Sequence, residues 1–174
     1  MEGYHDVIGV DVSEEQVALA KTMGVEVVQS DLLDFLHNSD DGAFDVIFLM
    51  DVIEHHTIEQ AYGLMDEIYR SLAPGGCCIL HTANADGLYS MGIRYGDVTH
   101  EMALNETSAR QLLTTVGFHS VKCHEDVPSV HGIKSMVRFM LWHFLTTYLR
   151  LLWLAETGSR GVILSRNFLI VANR

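Results

Sequence analysis

The chain has 174 residues, 48% hydrophobic and 20% charged, with 14 Gly and only 2 Pro, a balance that predicts one globular domain and excludes disordered or collagen-like classes. Its net charge of −12 argues against general nucleic-acid binding, which depends on Lys and Arg neutralising phosphates. Charges interrupt every apolar run before the roughly 18–20 residues of a membrane span, and residues 1–6 lack a basic leader, so neither a secreted nor a transmembrane chain is predicted.

Taken in chain order, Val7-Ile8-Gly9-Val10-Asp11-Val12 predicts a strand. Ser13 with Gln16 three residues on forms a capping box for a helix over Glu14 to Met23, ended by Gly24. Glu26 to Gln29 predicts a second strand, and Phe44 to Met50 a third with the continuous apolar run of a parallel-sheet strand. A helix over Ile58 to Leu72 leads through the turn Ala73-Pro74-Gly75-Gly76 into a fourth strand, Gly76 to Thr82. Cys77 and Cys78 lie inside that run, so they are expected to be core thiols rather than nucleophiles, and with Cys123 making an odd count of three a reducing cytoplasm is expected rather than a disulfide framework. A helix over Glu106 to Val116 closed by Gly117, a strand Phe118 to His124 and a last strand Asn167 to Ala172 follow. The alternation predicts a mostly parallel α/β sheet with crossover helices.

Residues 131–174 differ in character: they hold six of the 11 Lys and Arg but only one acid, Glu156, a local charge of +5 that leaves −17 for residues 1–130. Ile133 to Thr157, without Pro or Gly, predicts helix. Its polar residues fall on two sides, Lys134, Ser135 and Arg138 against His143, Thr146, Thr147 and Arg150, so one straight amphipathic helix fits poorly. A break near Phe139 to Trp142, or packing over most of the circumference, is the expectation. Trp142, Trp153 and their apolar neighbours suit a core or oligomer contact. The basic charge suits instead a helix at an anionic membrane surface, or a lid over a lipid-linked substrate.

In open parallel sheets ligands bind beyond the carboxyl ends of the strands. Those positions here are Asp11, Ser30-Asp31, Asp51 with Glu54-His55-His56, and Thr82-Ala83-Asn84, with His81 a weaker candidate. Strand-end acids suit a ligand rich in hydroxyls and amines. In this order the segments resemble the class I S-adenosylmethionine-dependent methyltransferases. Val7 to Ser13 resembles the strand whose terminal acid, here Asp11 beside Val12, binds the cofactor ribose. Val28-Gln29-Ser30-Asp31, followed by Leu32, resembles the motif whose Asp contacts the adenine amino group. Phe44 to Met50 with Asp51, and the Leu72-Ala73-Pro74-Gly75-Gly76 turn, resemble the family's fourth strand with its loop and the entry to its fifth. The resemblance implies a Rossmann-like, mostly parallel sheet with an antiparallel last strand, and S-adenosyl-L-methionine as cofactor, bound by Asp11, Val12, Asp31, Leu32, Met50 and Asp51. No Gly-x-Gly loop precedes Asp11, so the family's first strand and helix are read as missing, either from a chain that is a piece of a longer product, the favoured expectation, or from one whose sheet is repaired by another chain. The expected sheet then either closes the flanking strands on each other or leaves a gap. The expected layout is a truncated core over 1–130, a helical insertion over 131–166 and a final core strand over 167–174.

Asp51-x-x-Glu54-His55 with His100 further resembles metal-assisted O-methyltransferases of small RNAs and of the ubiquinone pathway, although Asp51 is one methylene shorter than the Glu usual in the RNA enzymes. That resemblance implies Mg²⁺, Mn²⁺ or Zn²⁺ on Asp51, Glu54, His55 and His100. Without metal, His100 or His55 is the natural general base, with Glu54 beside them. For Asp11 and Asp31, helix capping is the competing role; for Glu54 and His55 it is a solvated helix start. The expected activity is methyl transfer to an oxygen of a small-molecule or glycan- or lipid-linked acceptor, in the cytoplasm, with peripheral membrane contact or a homodimer through 131–157. A non-catalytic interaction module and a nicotinamide-dependent oxidoreductase are the alternatives.

Overall fold

A computed structural model describes residues 6–174; the leader reading for residues 1–5 lies outside the described residues. The main sheet has the order β3-β4-β6-β5. β4 (Leu72–Ala83) pairs in parallel with β3 (Phe44–Met50) and antiparallel with β6 (Asn167–Asn173), which pairs antiparallel with β5 (His119–Glu125). The antiparallel last strand is therefore present. Pairing between β3 and β4 breaks after Phe44–Leu72 and resumes at Val46–Cys77, so the expected turn is absorbed as a bulge within β4. Gly75 there has φ +82°, and a Cβ on Gly76 would lie 2.8 Å from the Asp45 carbonyl oxygen; only glycine fits both positions.

Two helices cover one face of this sheet. α3 (Ile58–Ser71) starts on a complete capping box, Thr57 with Gln60, and α5 (Glu106–Val116) on Asn105 with Ser108. The i, i+3, i+4 pattern of α3 brings Ala61, Leu64, Met65 and Ile68 onto Cys78, Leu80, Phe168 and Ile170, all fully buried. Each such large side chain contributes about 1.5–3 kcal/mol on removal from water. Burial pushes the Cys78 thiol far above its ordinary range, and Cys123 up to about 11. Cys78 is thus an inert core thiol, as expected, and the half-buried Cys123 is likewise held in its neutral form.

The other face of β3 is bare: Phe48 and Met50 are each 53% exposed despite the apolar run. β1 (Gly9–Asp11) and β2 (Val27–Gln29) form a separate parallel pair, joined by α1 (Glu14–Thr22). Among the described residues no strand lies between this pair and β3, so of the two arrangements the sequence allowed, the gap is the one formed. Ser13 caps α1, accepting from the Gln16 N–H at 3.4 Å. A short helix α2 (Leu32–His37) and another, α4 (Ser90–Arg94), complete the loops at the strand ends.

Helix α6 spans Ile133–Thr157 without a break, which corrects the expected interruption near Phe139 to Trp142. Nor is it packed over most of its circumference. Thr146 is buried and Ser135, Phe139, Trp142, Leu149 and Trp153 are half-buried on one side, while Ile133, Val137, Met140, Phe144, Tyr148 and Leu151 stand exposed on the other. The two polar clusters are reconciled because Arg150 and Thr146 face inward. Arg150 donates to both oxygens of Glu125 at 2.6 and 2.7 Å and to the Thr146 hydroxyl, and Glu125 also accepts from the Leu164 N–H at 2.9 Å. A half-buried bidentate pair of this kind holds more firmly than a surface ion pair. Replacing Arg150 with Gln should cost about 1–3 kcal/mol of local stability, read as faster hydrogen exchange across residues 133–157 with α3 and β4 unchanged; unaltered protection in α6 would show that its apolar contacts alone hold it.

Candidate active site

β3 ends in a 3-10 turn, Ile53–His55, that forms because Ile53 enters the core and pulls Glu54 in after it. The Glu54 side chain is only 3% exposed. Its carboxylate accepts from the Thr82 hydroxyl at 2.9 Å, and its backbone carbonyl from the N–H groups of Glu101 and Met102 at 2.8 and 3.2 Å. A buried acid without such partners costs several kcal/mol, so Glu54 ties the end of β4 and the segment around His100 to the end of β3. Arg94 of α4 closes the segment from the far side, donating to the carbonyls of His100 and Glu101.

The result is a cluster. One ligand atom each from Glu54, His55 and His100 lie within 4.8 Å of one another, and the two imidazole rings meet edge to face at 4.8 Å between centroids. Their hydrogen bonds define the tautomers. His100 Nδ1 faces the Ile93 carbonyl at 3.0 Å and so must donate. His55 Nδ1 faces the Thr99 hydroxyl at 2.9 Å, and that hydroxyl gives its only proton to Asp97 at 2.7 Å, so His55 Nδ1 also donates. Asp97 accepts the Thr99 side chain and backbone N–H, which with the nearby His100 and His55 hold its carboxyl below the usual carboxylate range. The Asp97 acceptor therefore stays charged throughout neutral and mildly acidic pH. The neutral forms of His55 and His100 thus carry their free lone pair on Nε2, the state an imidazole takes when it binds a metal or accepts a proton.

Asp51 does not join them. It adopts φ +50°, in the left-handed region, and its carboxylate accepts from His81 Nδ1 at 2.8 Å. Its backbone N–H still bonds the His81 carbonyl, continuing the β3–β4 ladder. The fourfold ligand set expected from the sequence is thereby corrected to three, because the ladder commits Asp51 to β4. His81 Nε2 in turn faces Asp126 at 3.6 Å, making an Asp51–His81–Asp126 row of which the sequence signalled Asp51 and His81 but not Asp126.

Asp31 does cap α2, accepting from Leu33 and Asp34 N–H through one oxygen. Asp11 does not cap α1; it accepts from the Ser13 N–H at 2.7 Å through one oxygen. The second oxygen of each acid has no hydrogen-bond partner among the described residues. Val12 and Met50 are exposed beside the strand ends, and Leu32 is half-buried against the core. Asn84 is consumed by structure: its amide donates to the carbonyls of Ile163 and Ser165 and its oxygen accepts from Asp86 N–H. The sequence did not reveal Thr99, Thr82 or Asp97; only the Thr82 strand-end position was visible, and no local pattern marks the other two.

A sheet with helices on one face, a site at the strand carboxyl ends and acids at three of them define an open α/β domain with an acidic strand-end site. Residues 1–80 match the family described as methyltransferase domain. A ubiquinone biosynthesis O-methyltransferase from Psychrobacter cryohalolentis is 30% identical over 86 residues, which cover 45% of this chain and 33% of that protein, so the chain spans about a third of the length of such relatives. Among solved structures, an S-adenosylmethionine-dependent methyltransferase from Archaeoglobus fulgidus superposes with a TM-score of 0.70 at 20% identity, covering 96% of this chain and 75% of that one. A phosphoethanolamine N-methyltransferase from Haemonchus contortus, bound to S-adenosyl-L-methionine, gives 0.58 at 17% identity and covers 96% and 43%. Over residues 1–80 the chain is thus similar to methyltransferase domains, and its fold is that of S-adenosylmethionine-dependent methyltransferases of known structure.

The tautomers yield a direct expectation. At pH 8, ¹⁵N-detected imidazole spectra should show His55 and His100 as Nδ1–H tautomers, and Thr99→Val should return His55, but not His100, to the mixture of a free imidazole; a His55 signal unaffected by Thr99→Val would break the chain of donors.

Proposed function

We propose that the chain catalyses S-adenosylmethionine-dependent methyl transfer to an oxygen of a small-molecule or lipid-linked acceptor. The observation that carries this is the Glu54–His55–His100 cluster at the end of β3, with both Nδ1 protons committed and both Nε2 atoms free. Asp11 and Asp31 each hold one unused carboxylate oxygen at neighbouring strand ends, which fits paired ribose hydroxyls and an adenine amino group. When bound, the cofactor supplies a methyl group on a positively charged sulfur. Asp11 would orient the ribose, and His55 or His100 would take the acceptor hydroxyl's proton at Nε2 as the oxygen bonds to the methyl carbon and the carbon–sulfur bond breaks, its electron pair going to sulfur so that neutral S-adenosylhomocysteine leaves. Asp97 through Thr99, and the Ile93 carbonyl, keep the rings turned and stabilise the imidazolium as it forms.

The same three donors fit a divalent ion, since one carboxylate and two imidazoles with their outer N–H groups held make a three-ligand set with positions left for substrate. Mg²⁺, Mn²⁺ or Zn²⁺ bound there would acidify the acceptor hydroxyl. Calorimetry with S-adenosylhomocysteine tests the cofactor assignment. Asp11→Ala should weaken binding at least tenfold, because charge-assisted bonds of about 1.5–3 kcal/mol each are removed. An unchanged dissociation constant overturns the ribose role, and a chain that binds none favours an interaction module. A companion Mn²⁺ titration, lost in His100→Ala, distinguishes the metal mode from the free base.

The exposed face of α6 supports contact with an anionic bilayer. No helix among the described residues is long and apolar enough to cross a membrane, yet Phe144 is 76% exposed on this face and Lys134 and Arg138 flank it. Sedimentation with anionic vesicles should capture the protein at low salt and release part of it at high salt. A dimer that stays in the supernatant at both salts makes the face an interface between copies.

A further inference from the structure

Between α6 and the sheet lies a cavity of about 800 Å³ outside the cluster just described. Its α6 wall carries Leu141, Trp142 and Leu145, with Tyr89 facing in from the loop before α4. Two cations, Arg138 and Arg166, line it, and neither has an acid within 4.0 Å among the described residues. The Trp142 indole N–H is buried without an acceptor among those residues. A desolvated donor left unmatched is a cost that an oxygen on a ligand would remove. Asp126 stands in the same wall and also faces His81, so the cavity reaches the Asp51–His81 row at the strand ends.

The opposite wall is braced rather than loose. Ser165 is buried, its hydroxyl donates to the Asn167 carbonyl and accepts from the Asp126 N–H, and the Asn84 amide holds the Ile163 and Ser165 carbonyls. A cavity with one rigid polar wall, one apolar helix wall and two unpaired guanidinium groups selects by charge as well as by shape. In a chain whose first 130 residues carry −17, such a pair of cations makes this a local anion site against the general field.

We propose that this cavity is the acceptor site of the methyl transfer argued above, on which the proposal rests, and that it takes an anionic amphiphile. The apolar body lies along Leu141, Trp142 and Leu145. A phosphate or carboxylate group is held by Arg138 and Arg166 through charge-assisted bonds. The end to be methylated is directed toward Asp126 and the strand ends.

The test uses the full chain and three probes below their micelle concentrations: decyl phosphate, decyltrimethylammonium and inorganic phosphate, followed by calorimetry and by quenching of Trp142. Decyl phosphate should bind at least tenfold more tightly than either of the others. Arg138→Gln and Arg166→Gln should each lower its affinity about tenfold, while Arg160→Gln, a tail cation lining a different cavity, should leave it unchanged. Equal binding of the ammonium probe means nonspecific adhesion to α6 and overturns the proposal. Inorganic phosphate binding as tightly as decyl phosphate makes this a simple anion site and overturns the amphiphile. If the chain discriminates as expected but fails to bind S-adenosylhomocysteine, the methyl-transfer reading fails while the cavity stands. If it binds S-adenosylhomocysteine without discriminating among the probes, the acceptor assignment alone fails.

Discussion

Glu54 is the group on which the site depends. A carboxylate removed from water at the end of a strand must be compensated by hydrogen bonds, and the chain meets that need from two distant places, the Thr82 hydroxyl on its side chain and the Glu101 and Met102 N–H groups on its carbonyl. The first fixes β3 against β4 where the sheet ends. The second brings His100 to His55. Without the burial of Ile53 next to it there would be no reason for Glu54 to enter, so the core packing of α3 against β4 reaches the chemistry through one residue.

A second constraint shapes the other side of the molecule. The tail is too apolar for water and too basic to resemble the body, and the structure resolves only half of that conflict. Arg150 on Glu125, with Glu125 also on the Leu164 N–H, fixes one face of α6 against β5 and the segment before β6. The opposite face stays uncovered within the chain. The space left between α6 and the braced 163–167 segment is the cavity with Arg138 and Arg166, so one ion pair sets both the helix's position and the size of the chamber beneath it. Asp126, which lines that space and faces His81, joins it to the strand ends.

What the sequence determined by itself is what neighbouring residues can encode. The order of the six strands and of helices α1, α3, α5 and α6, the boundaries Ile133–Thr157 and the caps at Ser13 and Asp31 follow from periodicity, capping residues and turns within a few positions of one another, whereas the antiparallel last strand was legible only through the family resemblance and the short helices α2 and α4 were not legible. The strand-end rule added Glu54 and His55, because topology sends that loop to the sheet's edge, while His100 came only from the resemblance to metal-assisted O-methyltransferases. Tertiary structure decided the rest, since its partners are far apart in the chain: Thr99 lies 44 residues from His55, Asn84 lies 79 from Ile163, and Arg150 lies 25 from Glu125. Asp51 is the sharpest case. Its sequence position beside Glu54 and His55 matched a ligand set, but the ladder to β4 and a left-handed backbone turned its carboxylate to His81. Spacing along a chain says which residues reach a strand end; the direction each side chain then takes depends on which buried donor or acceptor must be satisfied there.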